Sequence, residues 1–140
     1  MNTRRGLLLV AAVAAAGLPA AVPLLVLGQT PAPPIFVPLE GRHGSGLQGD
    51  VRLTPQGNAT SVVVTFRAQP ITNESLRLVS GSDCLDMRRS AQSIALNPIS
   101  GRTSQTLVKV PFSSFRSHHF VVDVRNATAR AQQAEACAKL

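Results

Sequence analysis

From Ile35 onward the chain alternates apolar and polar side chains with a period of two. Val37 and Leu39 are interleaved with Pro38 and Glu40, and Val51 and Leu53 with Asp50, Arg52 and Thr54. Val62, Val64 and Phe66 share one parity while Ser61, Thr65 and Arg67 take the other. Leu76 and Leu78 flank Arg77; Val108, Val110 and Phe112 alternate around Lys109; Phe120, Val122 and Val124 alternate with Val121, Asp123 and Arg125. Successive side chains of a strand point to opposite faces, so the pattern predicts half-buried strands. Turn residues punctuate them: His43-Gly44-Ser45-Gly46, Gly81-Ser82-Asp83, and Asn97-Pro98 with Gly101. Pro55-Gln56-Gly57-Asn58 lies between two strand runs, as a hairpin turn should. Six or seven short strands, with no convincing amphipathic helix among them, predict an antiparallel sandwich. Ala127–Lys139 favours helix by its Ala, Gln and Glu content, but a tether at Cys137 would hold it against the sheet. It is expected to be an irregular loop ending in a short strand.

Residues 1–28 follow a different rule. Arg4 and Arg5 precede Gly6–Leu27, a run of 22 residues without a charged or strongly polar side chain. A positive start, an apolar stretch and small residues read as an export signal. The run is also long enough to span a bilayer, so a retained anchor is the rival reading. Pro19 and Pro23 interrupt its second half and favour the signal. Thr3-Arg4-Arg5-Gly6-Leu7-Leu8 partly resembles a twin-arginine export signal. Gln29–Pro34 then forms a proline-rich, extended spacer, and residues 35–140 form the β-sandwich domain. The expected location is therefore the periplasm, the cell envelope or the outside of the cell. A membrane contact is expected only through the amino-terminal segment, if it is uncleaved.

Export changes how charge and cysteine are read. Without the two leader arginines, 12 basic residues face 7 acidic ones, a net +5. That balance favours anionic envelope polymers or another envelope protein as partners, although the basic residues are scattered. Trp and Tyr are absent and only five Phe occur, which argues against nucleic acid because single strands are held by stacking on aromatic rings. Cys84 and Cys137 are the two cysteines. An exported pair in an oxidising compartment should form one disulfide. The loop it closes would stabilise the fold by roughly 4 kcal/mol in the chain-entropy picture.

Catalytic groupings are sparse. The histidines are His43, His118 and His119. Adjacent strand residues point to opposite faces, so His118 and His119 do not readily share a metal. One of them with His43 would make a weak copper or zinc site if their loops meet. No nucleophile elbow, zinc-protease helix or paired carboxylates on a strand face are legible, so no enzyme is expected. Asn58-Ala59-Thr60, Asn73-Glu74-Ser75 and Asn126-Ala127-Thr128 match the glycosylation tripeptide. In a bacterial chain, which the Ala- and Arg-rich style suggests, that match usually carries no meaning.

Several segments together resemble the small exported β-sandwich proteins related to copper/zinc superoxide dismutase, including CHRD-like envelope proteins. They are Gly44-Ser45-Gly46-Leu47-Gln48-Gly49-Asp50-Val51-Arg52-Leu53, Gly81-Ser82-Asp83-Cys84-Leu85, and Gly101-Arg102-Thr103-Ser104-Gln105-Thr106 leading into Val110-Pro111-Phe112. Phe120-Val121-Val122-Asp123-Val124 and Ala136-Cys137-Ala138 complete the series. The resemblance implies an all-β, antiparallel Greek-key-type sandwich of about seven or eight strands, superoxide-dismutase-like, with Cys84 paired to Cys137. It also implies what is missing. The family's His-x-His before the Gly-turn corresponds here to Arg77-Leu78-Val79, and its later histidine to Arg125. Without those imidazoles, copper has no ligand set and no cofactor is expected.

The expected function is a non-catalytic exported module with a structural or binding role. The alternative is a copper- or zinc-binding protein with residual dismutase-like character, built on His43, His118 and His119. A third expectation is contact with anionic surfaces through Arg52, Arg67, Arg77, Lys109 and Arg125, all outward-facing on their strands by parity.

Overall fold

The computed structural model describes residues 30–68, 74–81, 83–84, 92–117, 119–126 and 134–140. The leader at 1–28 and His118 lie outside them, as do parts of the Asn73 and Asn126 tripeptides. The described chain forms β1 (Ile35–Gly41), β2 (Gly49–Gln56), β3 (Ala59–Phe66), β4 (Glu74–Ser80), β5 (Ser93–Ala95), β6 (Thr103–Val108), α1 (Ser114–Ser117), β7 (Phe120–Asn126) and β8 (Ala134–Lys139). The strands make one sheet in the order β5-β4-β7-β8-β1-β2-β3-β6, and every pairing is antiparallel.

The sheet folds on itself because β1 serves both halves. Ile35–Leu39 pairs with β2, whereas Glu40 and Gly41 pair with Cys137 and Ala136 of β8. The two halves bury the apolar parity of their strands against each other: Leu39, Val51, Leu53, Val62, Val64 and Phe66 from one, and Leu76, Leu78, Val122, Val124, Ala136 and Ala138 from the other. Two-residue turns set the registers. Gly57 takes φ +60° at the first turn position, next to Asn58, and closes β2 onto β3 with Gln56 opposite Ala59. Gly101 does the same beside Arg102, with Ser100 and Thr103 exchanging both backbone hydrogen bonds. A glycine there avoids the Cβ clash of a positive φ.

The sheet is nearly closed into a barrel. Beyond β5, Leu96 N–H still donates to Leu76 O, and Asn97 then crosses to β6. Its backbone N–H donates to Thr106 Oγ1 at 2.7 Å, its amide Nδ2 to Gln105 O at 2.6 Å, and its carbonyl accepts from Ser104 Oγ at 2.6 Å. With that seam counted, β7-β4-β5-β6 is the spatial order of a Greek key. The expected sandwich is present, with eight strands and one disulfide.

Three local expectations change. The strand expected over Val108–Phe112 is displaced to Thr103–Val108, and the chain bends at Lys109–Val110. Pro111 offers no N–H for a ladder, and Thr60 Oγ1 donates to the Val110 carbonyl at 2.8 Å, holding the bend against β3. β5 is three residues long, too short to show a period. The helical turn α1 was likewise not legible, although Phe115 packs at 4.8 Å from the Phe120 ring and caps one end of the core. The tail does end in a short strand, β8.

Candidate functional site

Residues directly opposite each other on paired strands share a face of the sheet. Glu40 stands opposite Cys137, Cys137 opposite Asp123, and Asp123 opposite Arg77. These four therefore form one row across β1, β8, β7 and β4, on the side away from the core. Such a side is normally wet, yet Val121, Asp123, Cys137 and Val79 are only 0–4% exposed. The Cys84–Cys137 disulfide lies on this face and is part of its cover, with 6.1 Å between the Cα atoms.

Asp123 is a buried carboxylate under that cover. Arg125, two residues on and hence on the same face, donates from Nε to Asp123 Oδ2. Oδ1 has no hydrogen-bond partner among the described residues. Burial raises the Asp123 carboxyl above the usual aspartate range, and Arg125 and Arg77 oppose that rise.

A second acidic pair sits at the end of the same half. β8 carries a bulge, with Val124 opposite Ala136 but Arg125 opposite Ala134, so Glu135 is the extra residue. The Glu135 side chain hydrogen-bonds Glu74, the first residue of β4. Burial, this bond and the neighbouring charge together push the Glu74 carboxyl up to about 7. The Glu135 carbonyl is used as well: it accepts from Arg42 N at 2.7 Å and from Ser45 Oγ at 2.5 Å.

Beside the disulfide lies a cleft of about 320 Å³, with Val37, Pro38, Cys84 and Cys137 among its walls and Glu40, Arg42, Asp83 and Lys139 supplying its charges. Two acids and two bases give it no net sign. A second cleft, of about 270 Å³, opens at the seam between β5 and the bend after β6.

The expected site residues disperse over this framework. His43 (φ 51°) and Gly44 (φ 72°) fill the two central positions of a turn closed by Ser45 N–H to Arg42 O at 2.9 Å, so His43 serves backbone geometry and is exposed. It follows the end of β1, beside Ala136 and hence the Val124 end of β7. His119 precedes Phe120 at the opposite end of that strand, roughly 20 Å away at the ordinary rise per residue. The structure does not bring these two histidines together, and the described residues contain no cluster of three metal-ligating groups. The basic residues also part company. Arg77 and Arg125 lie on the same side of the sheet as Asp123, Arg77 exposed and Arg125 partly buried. Arg52 lies on the open outer face of β1-β2-β3-β6, with its guanidinium 6.0 Å from the Phe36 ring centroid. Arg67 follows β3 and contacts Gln48 and Arg102, while Lys109 lines the seam cleft.

Sequence reasoning missed Asp123 and the Glu74–Glu135 pair. The first had a signal: Phe120-Val121-Val122-Asp123-Val124 is apolar on both parities, as in a strand covered on both sides. The second had none, since it depends on a bulge.

No protein-family model matches the chain, and no similar curated protein or solved structure is found. Among the described residues no helix is long and apolar enough to cross a membrane.

Proposed function

We propose that this chain is an exported, non-catalytic β-sandwich module with a structural or binding role in the cell envelope or outside the cell. Residues 1–28 act as its export signal, and the sandwich is of the superoxide-dismutase-like kind without the metal. The observation that carries this reading is the disulfide that covers a buried charge. Cys84–Cys137 is a bond of the kind that forms and persists in oxidising compartments, which supports export. The positions at which the resemblance expects copper ligands, Arg77, Val79 and Arg125, instead surround Asp123 with two guanidinium groups and an apolar side chain. Arg125 pairs with Asp123 there, which supports a packing role for these positions.

Cell fractionation with intact-mass and metal analysis of the recovered chain tests the proposal. The expected product lies outside the cytosol, lacks about the first 28 residues, contains one disulfide and carries no stoichiometric copper or zinc. A full-length cytosolic chain with two free thiols would overturn it. So would one metal ion held tightly per chain.

A further inference from the structure

The sheet fails to close at one place, and the failure exposes its interior. Among the described residues β5 and β6 are not paired with each other, and Thr60 holds the Val110 carbonyl toward β3. Ile94 stands opposite Leu78 and shares its inward parity. Leu78 is 1% exposed, yet Ile94 is 38% exposed. An inward-facing isoleucine is thus left wet in the mouth of the barrel, where β-proteins commonly hold small ligands. The floor of the resulting cleft of about 270 Å³ is apolar, made by Leu78, Ile94, Val110 and Phe120. Among the described residues its polar groups are Ser80, Gln92 and Ser114, and Lys109 is the one charged residue lining it. Lys109 forms no ion pair among the described residues.

We propose that this seam cleft is a binding site for a small anionic amphiphile, a single hydrocarbon chain with a carboxylate head. The chain covers Ile94 and Phe120, completing the interior that β5 and β6 leave open. The head meets the Lys109 ammonium, with the Gln92 amide and the Ser80 and Ser114 hydroxyls as hydrogen-bond donors. A volume of about 270 Å³ suits a ligand of roughly a dozen non-hydrogen atoms, at the small end of ordinary ligand sites. The single positive charge gives the site its sign, since a cationic head of equal length would place like charges together.

Two-dimensional NMR titration of the purified, disulfide-bonded chain with decanoate tests the assignment, with decylammonium as the matched cation. Saturable shifts are expected at Ser80, Gln92, Ile94, Lys109 and Phe120. Lys109→Gln should weaken decanoate about tenfold, the worth of one charge-assisted contact, and Lys109→Arg should restore most of the affinity. Decylammonium should bind at least tenfold more weakly than decanoate. The proposal is overturned if the cation binds as tightly, if Lys109→Gln leaves the affinity unchanged, or if shifts are confined to the leader or to the Phe36 and Leu107 face. The cleft does not include the disulfide, so this result stands apart from the export and oxidation tests of the module itself.

Discussion

The sheet has two outer faces, and they follow opposite rules. On β1-β2-β3-β6 the outward row Phe36-Arg52-Val63-Gln105 meets solvent, and Phe36 is 66% exposed. On β1-β8-β7-β4 the outward row Glu40-Cys137-Asp123-Arg77 is exposed at its two ends but buried at its centre, where Cys137 carries the disulfide and Asp123 is 1% exposed. The strands are alike in length and pairing, but the disulfide lies on the second face and none lies on the first. A charge on the open face keeps its hydration. On the covered face it must find a partner within the fold, and Asp123 finds Arg125 for one oxygen only.

Cutting that bond should erase the contrast, and it is the largest effect expected. The cysteines are separated by 53 residues, which corresponds to about 4 kcal/mol of loop-closure stabilisation. Urea denaturation of Cys84→Ser/Cys137→Ser against the oxidised chain should show a loss of that order. Hydrogen exchange should localise it: amides of Val121–Val124 should speed up more than those of Arg52–Thr54. Equal acceleration in both halves would show that the cover is not what distinguishes them.

Removing the buried charge comes next. Asp123→Ala removes the buried partner of Arg125, and breaking such a pair by deleting one member costs about 3 kcal/mol. Asp123→Asn retains an acceptor for Arg125 and removes the ionised oxygen that has no partner, so it should cost about 1 kcal/mol or less. Comparable losses for the two variants would mean that the charge of Asp123, rather than its shape and acceptor, holds Arg125.

Much of the open half was legible in the sequence for the same reason that it is wet. Val51, Leu53, Val62 and Val64 are buried while Asp50, Arg52 and Thr65 are exposed, so alternation reports the fold directly. The Gly57-Asn58 turn was legible because a tight hairpin demands a residue free to take positive φ. In the covered half the signal fails. Val121, Val122, Asp123 and Val124 are all buried, as are Ala136, Cys137 and Ala138, so parity no longer separates inside from outside. The disulfide was anticipated from compartment and resemblance, but the row that it covers required the register. The seam was hidden too. Asn97 bonds β6 through its backbone N–H and its side-chain amide, and Thr60 bonds a carbonyl 50 residues on through its hydroxyl, which no apolar–polar alternation encodes. The basic residues were expected on the outward sides of their strands; the sequence alone did not reveal that Arg52 and Arg77 belong to different outer faces.

Acidity offers a gentler way to sharpen the comparison. Glu74, in the covered half, has its carboxyl raised from 4.5 to about 7 by burial and by Glu135. The folded state therefore holds this proton more tightly than the unfolded chain. Its stabilisation is fully present below pH 4.5 and is lost as pH rises toward 7. Glu74→Gln keeps a donor toward Glu135 without a titrating proton, so urea midpoints measured from pH 4 to 8 should fall less steeply in the variant. An unchanged slope would assign the pH dependence to groups other than this pair.

The smallest effect belongs to the open face. Arg52 stacks over Phe36 at 6.0 Å and also donates from Nε to Thr54 Oγ1 at 3.3 Å, but both partners are solvated and held by no cover. Exposed cation–π contacts contribute about 0.5 kcal/mol, and an exposed hydrogen bond adds little because water replaces it. A double-mutant cycle of Phe36→Ala and Arg52→Ala should give a coupling near that value. The Asp123–Arg125 pair tested in the same way should couple more strongly, because Asp123 is 1% exposed and its interaction with Arg125 is less screened by water. Similar couplings on the two faces would mean that the disulfide hides Asp123 from solvent without making its pairing stronger.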